Sequence, residues 1–130
     1  MSHEILQPAG WSRPSGYSNG IAAAGRQIFV SGQIGWDARQ EFAGDGIAAQ
    51  TRQALANIVA VLASARASPE HLVRLTWYIT SRDEYYAAIS EIGAAYREII
   101  GRHFPAMSVV VVAGLLEPRA KVEIEATAVI

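Results

Sequence analysis

Apolar positions recur along this chain with two different periods, and the switches between them mark its elements. In Ile47–Ala65 the residues Leu55, Ile58, Val59 and Leu62 fall at i, i+3, i+4 and i+7, the spacing of one helix face. Lys121–Val129 alternates instead: Val122, Ile124, Ala126 and Ala128 lie on one side, Lys121, Glu123, Glu125 and Thr127 on the other, as in a half-buried strand. Val73–Thr80 alternates too, setting Leu75, Trp77 and Ile79 against Arg74, Thr76 and Tyr78. The helical period returns in Tyr85, Ala88, Ile89, Ile92, Tyr96 and Ile99, a second helix that Ser81 or Asp83 caps and Gly101 stops. The valine run inside Ser108–Ala113 predicts a strand buried on both faces.

Turn chemistry orders these pieces. Pro8, Gly10, Pro14, Gly16 and Gly20 make the stretch from Gln7 to Gly20 an ordered loop. Ile21–Ala24 and Gln27–Ile34 read as antiparallel strands around a tight Gly25-Arg26 turn. Gly44-Asp45-Gly46 closes a second loop and opens the first helix, and Ser68-Pro69-Glu70 restarts the chain for one short turn. The order ββαβ(α)ββ predicts a single α+β domain over residues 1–130, with two helices on one face of a mixed sheet. The other face then needs a partner, and a closed homo-oligomer is the simplest one.

Composition sharpens that expectation. Hydrophobic residues make up 51% of the 130, and part of that excess is expected to be covered by other subunits. A net charge of −1 gives no basic field to draw in nucleic acid or an anionic membrane. Nor do aromatic and basic residues interleave on one strand face as a nucleic-acid platform requires. The chain has no cysteine, which removes disulfides, thiol nucleophiles and thiolate metal sites, and fits a reducing cytoplasm. The first eight residues lack the basic and apolar regions of a signal peptide, and no apolar run is long enough to span a bilayer. His3, His71 and His103 have no metal-ligand spacing. Gly32-Gln33-Ile34-Gly35 sits at a strand end and opens no helix, so no phosphate cradle is expected. Neither a metal nor a cofactor is implied.

A small polar set remains: Tyr17, Ser31-Gly32-Gln33 and Glu123. Taken singly, each has a plain structural reading. Tyr17 would pack its ring against the core from a loop, and Ser31-Gly32-Gln33 would mark a bulge or a close backbone approach. Glu123 and Glu125 would be solvated charges or partners of Lys121.

Taken together and in order, several segments resemble the reactive-intermediate deaminase family (RidA, also called YjgF). They are Gly16-Tyr17-Ser18, Ser31-Gly32-Gln33, Gln50, Gln53 and Asn57, Tyr96, Pro105-Ala106, and Lys121–Ala126. The resemblance covers nearly the whole chain. It implies a chorismate-mutase-like fold and a homotrimer with a barrel core and clefts between subunits. It also implies hydrolysis of enamines and imines of amino acids to keto acids and ammonia, without metal or cofactor. By resemblance, Glu123 matches the carboxylate that orients the water, and Tyr17 the tyrosine that lines the cleft. Gly32 and Val109 match positions whose backbone contacts substrate.

Two departures qualify the resemblance. The family's carboxylate-gripping arginine falls at Met107, and an asparagine common in the second helix falls at Gly93. Without a guanidinium, a small anionic imino acid entering an apolar cleft loses charge-assisted bonds worth about 1.5–3 kcal/mol each. The expected function is therefore an imine or enamine hydrolase with specificity moved away from small anionic imino acids. The alternative is a non-catalytic small-molecule-binding protein of the same fold. Met107 packs the core or shapes a more apolar pocket. Trp11 and Trp36 are placed to cover an apolar ligand, and Arg13 or Arg119 to supply a displaced cation.

Overall fold

A computed structural model describes residues 3–130. Met1 and Ser2, where the reading of the N-terminus begins, lie outside the described residues. Two short strands, β1 (Glu4–Leu6) and β2 (Gly20–Ala22), pair antiparallel with each other, and β3 covers Gln27–Ile34. Then come α1 (Ile47–Ser64), a 3-10 turn at Pro69–His71, β4 (Leu72–Ile79), α2 (Arg82–Ala87), α3 (Ile89–Ile99), β5 (Ala106–Val111) and β6 (Val122–Val129). The main sheet runs β3-β6-β4-β5, antiparallel except for the parallel pair β4 and β5. This is the expected α+β architecture with a mixed sheet.

The period-two pattern decides which face the helices cover. Leu75, Trp77, Val122, Ile124 and Ala128 point to one side and pack with Leu55, Ile58 and Leu62 of α1 and with Ile92 and Tyr96 of α3. Fully burying a leucine or isoleucine contributes about 1.5–3 kcal/mol relative to leaving it exposed. Gln50 is the polar exception in this core. Its amide donates to the carbonyls of Gly44 (2.9 Å) and Arg119 (3.1 Å), and its oxygen accepts from Lys121 N (2.8 Å). Three bonds offset the cost of burying it and tie two loops to α1. Asn57 works similarly, donating to the carbonyls of Ile34 and Trp36.

Four expectations change. Gly25-Arg26 does not join β2 to β3 as a hairpin. Arg26 instead exchanges backbone bonds with Ile130, and a Cβ on Gly25 would sit 2.9 Å from the Ile130 carbonyl carbon. The partner of β2 is β1, in a segment where no strand is expected. The second helix is two helices, broken at Ala88 (φ −103°, ψ 10°), where neither glycine nor proline signals a break. Lastly, the valine strand is not buried on both faces within this chain. As β5 it is the sheet's edge, with Val109, Val110 and Val111 exposed.

Candidate functional site

The strand pair β3 and β6 brings two of the expected residues together. Between Val30 and Gln33 the register slips, so that Ser31-Gly32 forms a bulge. A bulge brings the backbone close to its neighbours, and here the neighbour is Glu123. A Cβ built on Gly32 would stand 2.6 Å from Glu123 Cδ. Only glycine leaves room for that carboxylate. In register, Glu123 lies between Ile34 of β3 and Tyr78 of β4.

The carboxylates on this strand are not paired with Lys121, whose ammonium bonds Glu84 at 2.6 Å. Glu125 accepts a 2.7 Å bond from the Tyr78 hydroxyl. That bond, ahead of burial and the charges of Glu125 and Glu123, raises the Tyr78 phenol above its ordinary value.

Met107 and Val109 sit elsewhere. In the parallel ladder they are opposite Leu75 and Trp77, so they share the face toward the helices. Both line an apolar groove of about 420 Å³ between β5 and α3, walled by Trp77, Tyr85, Tyr96 and Phe104. Tyr96 and Phe104 stack with ring centroids 5.5 Å apart, and the Tyr96 hydroxyl donates to the His103 carbonyl at 2.7 Å. Burial pushes the Tyr96 phenol far above its ordinary value. Tyr85 is raised as well, by burial first and then by Tyr86. Both phenols stay neutral near pH 7 and cannot act there as bases.

Tyr17 is not among the residues that line this groove. Its neighbour Gly16 lines it, and its other neighbour Ser18 is buried and anchored to β5. Ser18 N donates to the Pro105 carbonyl at 3.1 Å, and its hydroxyl donates to the Phe104 carbonyl. Tyr17 itself remains 41% exposed.

Within one chain, then, Glu123 and Gly32 lie on the sheet face away from the helices, and Met107 and Val109 on the helix face. One site can include all four only if a neighbouring copy contributes part of it.

The other candidates have local roles. Arg119 pairs with Asp45 at 2.8 Å and lies 4.9 Å over the Phe42 ring. Arg13 borders a hollow with Ile5, Gln7, Pro14 and Ser18. Neither reaches the Met107 groove. Trp36 packs on Phe42 at 5.7 Å, and Trp11 is exposed. Trp77 alone of the three tryptophans lines the groove.

A cation that no pattern singled out does reach the groove: Arg97, on α3. Its signal in the sequence is Gly93, four residues earlier on the same helix face. Among the described residues, no three His, Asp or Glu side chains gather as a metal-binding set, and no helix is long and apolar enough to cross a membrane.

Comparison with known proteins gives a consistent result. The sequence profile of the Endoribonuclease L-PSP family matches residues 11–130. Protein DfrA of Myxococcus xanthus is 36% identical over 87% of this chain and 84% of its own length. The 2-iminobutanoate/2-iminopropanoate deaminase of Salmonella typhimurium is 32% identical over 81% of this chain and 80% of its own. Among solved structures, the Rid-family protein YyfB of Yersinia pestis superposes with a TM-score of 0.84 at 35% identity, covering 100% of both chains.

Proposed function

The chain belongs to the RidA/YjgF family, the Endoribonuclease L-PSP family of its matched profile, and from that premise we propose that it hydrolyses imines or enamines other than small anionic imino acids. The observation that carries this reading is the Glu123 carboxylate resting on the Gly32 bulge, on the sheet face opposite a groove in which Met107 takes the family's arginine position.

The reaction asks little of the protein. An imine carbon is already electrophilic, so the site must hold the substrate, place one water and move its proton. The Glu123 carboxylate accepts a proton from the water as the new C–O bond forms, and the C=N electron pair passes to nitrogen. The proton is then returned to that nitrogen. As the carbinolamine collapses, the carboxylate takes the hydroxyl proton and delivers it to the nitrogen, so the C=O bond forms as the C–N bond breaks and ammonia leaves. Tyr17 lines the site, while the backbone of Gly32 and Val109 contacts the substrate.

A homotrimer fits this chemistry. The uncovered sheet faces of three copies would meet in a barrel core, and the Met107 groove of one copy would meet the Glu123 of the next. The small-molecule ligand would then sit in an intersubunit cleft, with no nucleic acid or membrane taking part.

Ammonia release from a panel of neutral and anionic imines tests the reading. Glu123→Gln should lower turnover about 100-fold, the usual scale of general-base catalysis. Unchanged turnover in that variant would remove Glu123 from the mechanism. Tight metabolite binding without turnover on any imine would make the protein a ligand-binding member of the fold instead.

A further inference from the structure

Resting on the proposal that a ligand occupies the Met107 groove, the geometry points to a second cation position within it: we propose that Arg97, laid over a notch at Gly93, binds the carboxylate of an aromatic or otherwise bulky apolar anion. Arg97 lies one helical turn after Gly93 on α3. Helical side chains lean toward the N-terminus, so the side chain at position 97 covers position 93. No side chain meets it there. Arg97 Nη1 stands 3.2 Å from where a Cβ on Gly93 would be.

A glycine inside a helix is the least favourable residue there apart from proline. Gly93 has no positive φ that would call for glycine. What it provides is space, and the guanidinium uses it.

The setting suits an anion with a large apolar part. Among the described residues Arg97 makes no ion pair, whereas Arg52, Arg119 and Lys121 each do. Its five donors are therefore free for a carboxylate fork. Besides Ser15 and Gly16 at one edge, the groove presents mainly apolar and aromatic side chains, Met107, Phe104, Tyr85, Tyr96 and Trp77 among them, and no charged side chain other than Arg97. Arg97 is exposed, and an exposed ion pair alone contributes little. A short carboxylate is therefore held weakly. Most of the affinity must come from an apolar body buried on those side chains. Exclusion of small imino acids and acceptance of larger ones then have one cause, the move of the cation from position 107 to position 97.

Calorimetric titration of the full chain with 3-phenylpropanoate and with 3-phenylpropanamide, nearly equal in shape and different in charge, tests this. The acid should bind about tenfold tighter than the amide at low salt, the scale of one partly screened charged contact. Arg97→Gln should erase that preference while leaving amide affinity unchanged, and Arg97→Lys should keep part of it. Gly93→Leu, which fills the notch, should weaken the acid more than the amide. Equal affinity of acid and amide, binding of neither, or a preference that survives Arg97→Gln would overturn the proposal. Because the titration reads no turnover, Arg97-dependent binding in a chain that hydrolyses no imine would refute the hydrolase reading alone.

Discussion

The two faces of the main sheet are made by alternate residues of the same strands, yet they do different work. The face toward the helices carries Leu75, Trp77, Ile124 and Ala126, all buried. The opposite face carries Phe29, Ser31, Arg74, Thr76, Glu125 and Thr127, which line a shallow hollow open to solvent. Phe29 is 72% exposed there. The first face gains its stability from apolar area removed from water inside a single chain. The second holds polar groups that meet one another, as Tyr78 does Glu125, and it is solvated in the single chain. The comparison shows that a period of two can give one set of positions to the core of a single chain and leave the other set at a solvated surface.

Substitutions on the two faces should separate these roles. Leu75→Ala, in the covered face, should cost about 2–5 kcal/mol in chemical unfolding, as fully buried leucines do. Phe29→Glu, on the open face, should leave a folded domain by circular dichroism but shift sedimentation to smaller species. A change of assembly from the first variant alone would break the comparison.

At the groove, Met107→Arg should raise ammonia release from 2-iminopropanoate about tenfold, one charge-assisted contact. Substantial wild-type activity on that substrate would instead sink the argument from the missing arginine.

The smallest effect concerns pH. The Tyr96 phenol is raised by burial, so its contribution to stability is complete below the unfolded value near 10 and is lost as pH climbs toward the higher folded value. Tyr96→Phe should therefore flatten the fall in unfolding free energy above about pH 10. An alkaline limb as steep as that of the wild type would assign the loss to other groups.

Much of the fold was legible because it depends on local repeats. The face of α1, the alternation of β4 and β6, the stop at Gly101 and the bulge at Ser31-Gly32 each follow from residues a few positions apart. The break at Ala88 carried no such mark. The valine run was read as interior because apolarity reports a need for cover, and that need does not say whether the same chain meets it. In the candidate site, the sequence assigned Glu123 and the strand-end glycine to one cleft only through family resemblance, and their direct contact comes from the fold. Gln50 and Asn57, part of the same resemblance, turn out to fasten loops to α1, and Gln53 donates to Asn57 within the helix.

By itself, then, the sequence determined the α+β class, the helix-facing side of β4 and β6 and the absence of a cation at Met107. Those properties reside in side-chain identity and short-range period. Only the tertiary structure decided that Gly25 serves the C-terminus rather than a hairpin. It alone separated Glu123 from Met107 by the thickness of a sheet, and it alone set Arg97 over the space left by Gly93. Each of these depends on which distant segments share a volume, and no local period records that.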